Sequence, residues 1–194
     1  MHVDRIVVAS QNTDKIDEIE AVLAELSHPI EVVRGLSWPP IPETEDTLVG
    51  NALLKAQTVA KLTGIAALAD DTGLEVDALD GAPGVYSARY AGADAGYDDN
   101  VTKLLESMEG HSDRSARFRT AMALVTPTGE TLVVEGVLTG SIAHVRAGSS
   151  GFGYDPVFLV DDRTLAELDG RQKNAVSHRA VALRALFDAL SGEE

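Results

Sequence analysis

Asp70 and Asp71 close a short apolar run, Ala66 to Ala69, and are followed at once by Thr72-Gly73. The pattern predicts a buried strand that breaks into a turn, with two carboxylates at its end. Successive strand side chains point to opposite faces. If the strand persists through Asp71, one carboxylate faces any given cleft and the other anchors the turn. A solvated loop with a satisfied Asp-Asp turn is the plainer alternative. Lys15 supplies a cation near the start of a helix that follows a strand, where backbone N–H groups and the helix dipole favour anions. It reads as a phosphate contact or as a snorkelling surface lysine. Glu43-Thr44-Glu45-Asp46 lead into a second helix that carries Asn51 and Lys55 one turn apart. Acids there suit the helix dipole by themselves, and the lysine close behind makes them candidates for a site. The segment from Gly148 to Pro156 is rich in glycine and holds Phe152 and Tyr154. That composition lets backbone approach a flat ligand while a ring stacks on it, and it also suits an ordinary turn.

The elements that position these groups alternate in type. Arg5 to Ala9 reads as a strand. Ser10-Gln11-Asn12-Thr13 then offers capping residues for a helix with its stripe at Ile16, Ile19, Leu23 and Leu26. Ile30 to Val33 reads as a second strand, and Trp38-Pro39-Pro40-Ile41-Pro42 as an extended connection, because three prolines forbid a helix. Leu48 to Leu62 is the next helix, centred on Ala52, Ala56, Val59 and Ala60, and Asp99 to Met108 another. Ala116 to Thr126 and Thr131 to Ile142 form a hairpin through Pro127-Thr128-Gly129-Glu130. A last helix turns Leu183, Phe187 and Leu190 inward, with Ser177 as N-cap and His178 and Arg179 in its first turn. The βα start and β-rich middle predict an α/β fold with a mixed sheet. Without repeats or linkers, residues 1–194 read as a single domain.

The 194 residues include no cysteine, which excludes a disulfide scaffold and a thiolate zinc site. No apolar run reaches transmembrane length, and the first residues lack the regions of a signal peptide, so the expected setting is cytoplasmic. A formal charge of -15 argues against a nucleic acid polymer or an anionic membrane as partner. A small anionic ligand remains compatible where cations or a metal ion concentrate. GxxxxGK[ST], GxGxxG, GxSxG and HExxH are all absent, and His2, His28, His111, His144 and His178 are isolated.

Five blocks in order carry a resemblance that spans nearly the whole chain. They are SQNTDKIDEIEAVL from Ser10, NALLKAQ from Asn51, LADDTGLEVDALDGAPGVYSARYAG from Leu68, GFGYDPVF from Gly151 and KNAVSHR from Lys173. Together they resemble the inosine triphosphate pyrophosphatase family, the XTP/dITP diphosphatases. The resemblance implies an elongated two-lobed α/β fold, with a central mixed sheet flanked by helices and a nucleotide cleft between the lobes. It further implies a homodimer, and a Mg²⁺-dependent conversion of ITP, dITP and XTP to monophosphate and pyrophosphate.

Carried over by position, Ser10, Gln11, Asn12, Thr13, Asp14 and Lys15 resemble the triphosphate-binding loop, and Lys55 a further phosphate contact. Glu43 and Asp71 resemble the magnesium ligands, with Asp71 also the catalytic base. Thr72 stands where the family usually has serine and contacts substrate. Phe152, Gly153, Tyr154, Asp155, Lys173, His178 and Arg179 resemble the groups around the nucleoside and its base. Gly50 departs from a position that is often glutamate in relatives, which leaves Glu45 and Asp46 beside Glu43 as competitors for the outer metal ligand. Two other readings stay in view: a pyrophosphatase for modified pyrimidine nucleotides, and a nucleotide-binding protein without turnover.

Overall fold

The computed structural model describes residues 1, 3–25 and 30–192, so Leu26, His2 and His28 lie outside the described residues. Among the described residues, eight strands join one mixed sheet in the order β2-β1-β3-β5-β6-β7-β8, with β4 beside β3. They are β1 (Arg5–Val8), β2 (Glu31–Val32), β3 (Ala66–Val76), β4 (Pro83–Gly84), β5 (Ser115–Val125), β6 (Thr131–Ile142), β7 (Phe158–Val160) and β8 (Arg163–Thr164). The helices are α1 (Thr13–Leu23), α2 (Leu48–Thr63), α3 (Tyr97–Ser107), α4 (Gly170–Val176) and α5 (His178–Ser191). The chain divides into two compact units, and β3, β5 and β6 each contribute residues to both.

The first unit takes Met1–Asp71, Thr120–Gly136 and His178–Glu194. Within it β1 pairs in parallel with β2 and with β3, in the register Ile6↔Ala66, Val7↔Ala67 and Val8↔Leu68. Parallel strands are covered on both faces, which is why β3 reads as a continuous apolar run rather than an alternating one. Ile6, Val8, Leu68, Met122 and Leu124 from the strands pack with Ile19 and Leu23 of α1 and Leu183 and Leu186 of α5. The inward stripe expected for α1 is therefore the face that builds this core. Asn12 caps α1 and Thr47 caps α2, each side chain accepting backbone N–H bonds that the first turn leaves over.

The second unit takes Thr72–Arg119 and Val137–Ser177. Here β3 pairs with β4 and β6 with β7, both antiparallel. Leu74, Val76, Val101, Leu104, Phe118, Ile142, Val157 and Phe158 form its core, with Phe118 and Phe158 ring centroids 4.6 Å apart.

Two expectations need correction. β3 does not break at Thr72-Gly73 but runs on to Val76. A Cβ at Gly73 would lie 2.7 Å from the Gly84 carbonyl oxygen, so this glycine serves the close β3–β4 approach and not a turn. The segment from Arg171 also does more than lead into the last helix. It forms most of α4, capped by Asp169, and Ser177 in extended conformation is the one residue separating α4 from α5. The β5–β6 hairpin closes as expected, with the Thr126 N–H donating to the Glu130 carbonyl.

In the first unit α5 meets β6 at Gly136, where a Cβ would overlap the His178 carbonyl oxygen and the Ala182 backbone nitrogen. Backbone cannot yield as a flexible side chain would. Gly136→Ala is therefore expected to destabilise by about 1–3 kcal/mol. Gly170→Ala, at a helix position with open space around it, is expected to stay within about 0.5 kcal/mol of the parent or gain slightly. Urea unfolding of the two variants checks the contrast.

Candidate functional site

The parallel register sets the site. β1 ends at Val8 opposite Leu68, and the Ala9 N–H donates to the Leu68 carbonyl at 2.7 Å. Two residues farther along the two strands stand Ser10 and Asp70. The Ser10 hydroxyl accepts from the Asn12 N–H at 3.1 Å, and Asn12 Oδ1 accepts from the N–H groups of Asp14 and Lys15 at 3.0 and 3.3 Å. The loop is thus folded as a cap on α1, with Thr13 and Asp14 exposed in its first turn. The Gln11 amide donates to the Trp38 carbonyl at 3.2 Å.

Asp70 and Asp71 take different partners, as strand alternation requires. Asp70, 2% exposed, is 3.1 Å from Lys15 Nζ, and it accepts from Arg179 Nε and Nη2 at 3.3 and 3.1 Å. Arg179 is equally buried and gives Nη1 to Glu18. Asp71 accepts from Lys55 Nζ at 2.9 Å and from Asn51 Nδ2 at 3.3 Å, and Lys55 also donates to Glu43 Oε1 at 3.1 Å. Asn51 Oδ1 accepts from the Glu45 N–H at 3.0 Å, while its Nδ2 reaches the Glu45 carbonyl at 3.2 Å. One buried amide therefore ties the acidic segment to β3. Gly50 makes room for that segment, since a Cβ there would come within 2.7 Å of Glu45 Cβ.

The same burial acts on the two aspartates with opposite results. It would raise both carboxyls, but at Asp70 the charges of Lys15, Arg179 and Lys55 outweigh it and hold the group far below the usual carboxylate range. Asp71 is pushed up to about 6 by burial and by the nearby Glu43 charge, with Lys55 and Lys15 opposing. Burial also acts against the charged forms of Lys55 and Glu43. The acids around Lys55 nevertheless raise it, and Lys55 lowers Glu43. A carboxyl that titrates near neutrality beside a second carboxylate and a lysine can exchange a proton with water or share a cation.

His178 is buried at the start of α5, its Nδ1 2.6 Å from the Thr120 hydroxyl. Its neighbour Arg179 is brought to Asp70 and Glu18. In the second unit Thr72 follows Asp71 along β3, and the glycine-rich segment gathers several of the residues singled out above. The Phe152 N–H donates to Asp155 Oδ2 at 2.8 Å, and Lys173 of α4 donates to the same oxygen at 2.5 Å while its ammonium lies 4.8 Å from the Phe152 ring centroid. Gly153 has a positive φ of 61°. Tyr154 is turned into the core, its hydroxyl on the Ser87 carbonyl at 2.8 Å. Ser10, Asn12, Lys15, Glu43, Lys55 and Asp71 thus share the first unit, and Phe152, Asp155 and Lys173 share a hydrogen-bonded cluster in the second.

The ion pairs of Asp70 and the roles of Glu18 and Thr120 go unread in the sequence, and Asn51, seen there beside Lys55, turns out to hold Asp71 and Glu45. Asn51 is signalled by its i,i+4 spacing to Lys55, and Glu18 by standing one turn after Lys15. No local pattern points to Thr120, whose partner is 58 residues away.

A family model described as "Ham1 family" matches residues 6–189. A protein of Exiguobacterium sp. named dITP/XTP pyrophosphatase is 46% identical over 187 residues, covering 94% of each chain. The structure of a HAM1 protein from Coxiella burnetii superposes with a TM-score of 0.86 at 45% identity, over 97% of this chain and 98% of that one. The Staphylococcus aureus Ham1 protein gives a TM-score of 0.83 at 38% identity, over 98% and 100%.

The aspartates should separate in unfolding experiments without metal. Asp70, lower in the folded state than in the unfolded chain, contributes stability that is complete above about pH 4 and lost as pH falls. Asp71, raised to about 6, contributes stability that is complete below about pH 4 and lost as pH rises through 6. At pH 7.5, Asp70→Asn leaves Lys15 and Arg179 short of their counter-charge and should lose about 3–5 kcal/mol. Asp71→Asn should stay within about 1 kcal/mol of the parent. Urea titrations from pH 2.5 to 8 read both effects.

Proposed function

Since this chain belongs to the Ham1 family, we propose that it hydrolyses the non-standard purine nucleoside triphosphates ITP, dITP and XTP to monophosphate and pyrophosphate. The observation that carries the reading is Asp71, a buried carboxyl raised to about 6 beside Glu43 and Lys55 on α2. One residue earlier on the strand, Asp70, held far below the usual carboxylate range by Lys15 and Arg179 against its burial, pairs with Lys15 of α1.

Glu43 and Asp71 are the residues that would hold Mg²⁺. They offer hard oxygen donors, and the Glu43 charge already raises Asp71. Two carboxylates leave most of an octahedral shell to phosphate oxygens and water. When bound, the ion supplies positive charge against the triphosphate and lowers the pKa of a coordinated water. Lys15 and Lys55 neutralise phosphate oxygens, and the helix N-terminus with Ser10 and Asn12 orients them. Asp71 takes the proton of the water that attacks the α-phosphorus, and pyrophosphate leaves in one piece with its charge held by the lysines. Phe152 offers its ring to the base, with Lys173 and Asp155 fixing that ring.

Base choice is assigned to donors on α5. ITP and XTP carry a carbonyl at purine position six where ATP carries an amino group, so a donor gains a partner with the former and meets another donor with the latter. The Arg179 nitrogens already contact Asp70 and Glu18, which favours His178 as that donor. The same reading includes a homodimer in the cytoplasm, without nucleic acid or membrane as partner, as the net charge of -15 suits. Sedimentation of the purified protein measures the dimer.

Pyrophosphate release across a panel of nucleoside triphosphates is the test. With Mg²⁺, ITP and XTP should be turned over far faster than ATP, by up to roughly 10⁴–10⁵ where a buried hydrogen bond decides the choice. Excess EDTA should abolish the activity and Mg²⁺ restore it. Asp71→Asn should lower kcat by about 10²–10⁴ while the fold is kept. In ¹⁸O-labelled water the label should appear in the monophosphate. Equal turnover of ATP and ITP, or full activity in EDTA, refutes the assignment.

A further inference from the structure

The second unit holds an aromatic side chain that none of these roles uses. Tyr97 is the first residue of α3 and 45% exposed, and its ring centroid lies 5.8 Å from that of Phe152, with the planes at 38°. Tilted pairs at about 4.5–7 Å are the favourable arrangement, and unlike a parallel sandwich they leave ring surface uncovered. Phe152 keeps intermediate exposure in spite of this contact.

The two rings stand on unlike supports. Phe152 belongs to a segment with positive φ at Gly148, Gly151 and Gly153, where glycine leaves the backbone its widest freedom. Tyr97 stands on a pinned helix start. Asp99 accepts from the Gly96 N–H at 2.9 Å. Buried Asn100 accepts from the Ala91 N–H at 2.8 Å and donates to the Ala88 carbonyl at 3.1 Å. Arg146 adds donors to the Asp98 carbonyl and the Thr102 hydroxyl at 2.8 and 2.7 Å. Backbone bonds from Ser149 and Ser150 to the Ala166 carbonyl hold the start of this loop, and the Phe152 ring itself is contacted by the Lys173 ammonium from α4 and by the Tyr97 ring from α3.

We infer that Tyr97 is a positioning residue for the nucleobase: it braces the Phe152 ring, and with it residues 148–155, in the orientation that receives a purine. This rests on the assignment of Phe152 to the base. A brace of this kind restricts the loop before substrate arrives, so it acts on capture of the base and not on cleavage at the α-phosphorus. Its contact with Phe152 is ring on ring, so the brace is carried by the ring, which phenylalanine keeps.

Tyr97→Ala and Tyr97→Phe test this, with melting curves to verify the fold, since alanine suits the first turn of a helix. In the free protein, amide hydrogen exchange over 148–155 should quicken severalfold in Tyr97→Ala and match the parent in Tyr97→Phe. In ITP hydrolysis, KM should rise roughly two- to tenfold in Tyr97→Ala. The kcat should stay within about twofold, and Tyr97→Phe should restore both. Unchanged exchange in Tyr97→Ala overturns the inference. So does a fall in KM, which would make the ring an obstruction, or a loss of kcat at constant KM. If the parent releases no pyrophosphate from any purine triphosphate, the functional reading falls, and the exchange measurement still decides whether Tyr97 braces the loop.

Discussion

Asp70 is the constraint on which the first unit turns. A carboxylate taken out of water is expensive unless cations repay the loss, and Lys15 with Arg179 does so. Those two cations come from opposite ends of the sequence, one from α1 and one from α5, so a single buried oxygen fixes both helices against the last turn of parallel pairing in β3. Glu18 completes the balance on Arg179. In a protein of net charge -15, cations are scarce, and here several of them are gathered around one strand.

Much of this was legible in the sequence because it is local. The apolar period of α1, the capping run Ser10 to Thr13, and the hairpin around Pro127-Thr128-Gly129 follow from spacing alone, and each appears where expected. Alternation along a strand was enough to say that Asp70 and Asp71 part company. What escaped depends on contacts distant in sequence. Gly73 signals a turn by composition, yet its neighbour across the β3–β4 pair makes it a requirement of close approach. Arg179 looked free to point at a ligand, but Asp70, 109 residues away, claims it. Tyr154 carries the same composition signal as Phe152, and its burial in the second core with its hydrogen bond to Ser87 shows where it belongs.

The second unit solves a different problem. Its Phe152 loop needs glycines to reach its shape, and their freedom must then be taken back by side chains. Asp155 does most of this with one oxygen that accepts from the Phe152 backbone and from Lys173. The result is an aromatic ring held by charge and hydrogen bonding on a backbone that would otherwise wander.

The register of β3 against β1 carries more than packing. Because strand side chains alternate, every residue of β3 has a parity, and since Ala67, Leu68 and Ala69 are buried on either face it is the ion pairs of Asp70 and Asp71 that depend on it. Losing or gaining one residue upstream in the strand would exchange the two aspartates, handing the pair of cations at α1 and α5 to one carboxylate and the lysine of α2 to the other. The strand would still be apolar and could still be buried, yet the carboxyl raised toward neutrality and the one held far below the usual range would have traded places. Insertions and deletions in this stretch are therefore filtered by chemistry before they are filtered by folding, whereas the connection through Pro39 and Pro40 has no such parity to keep.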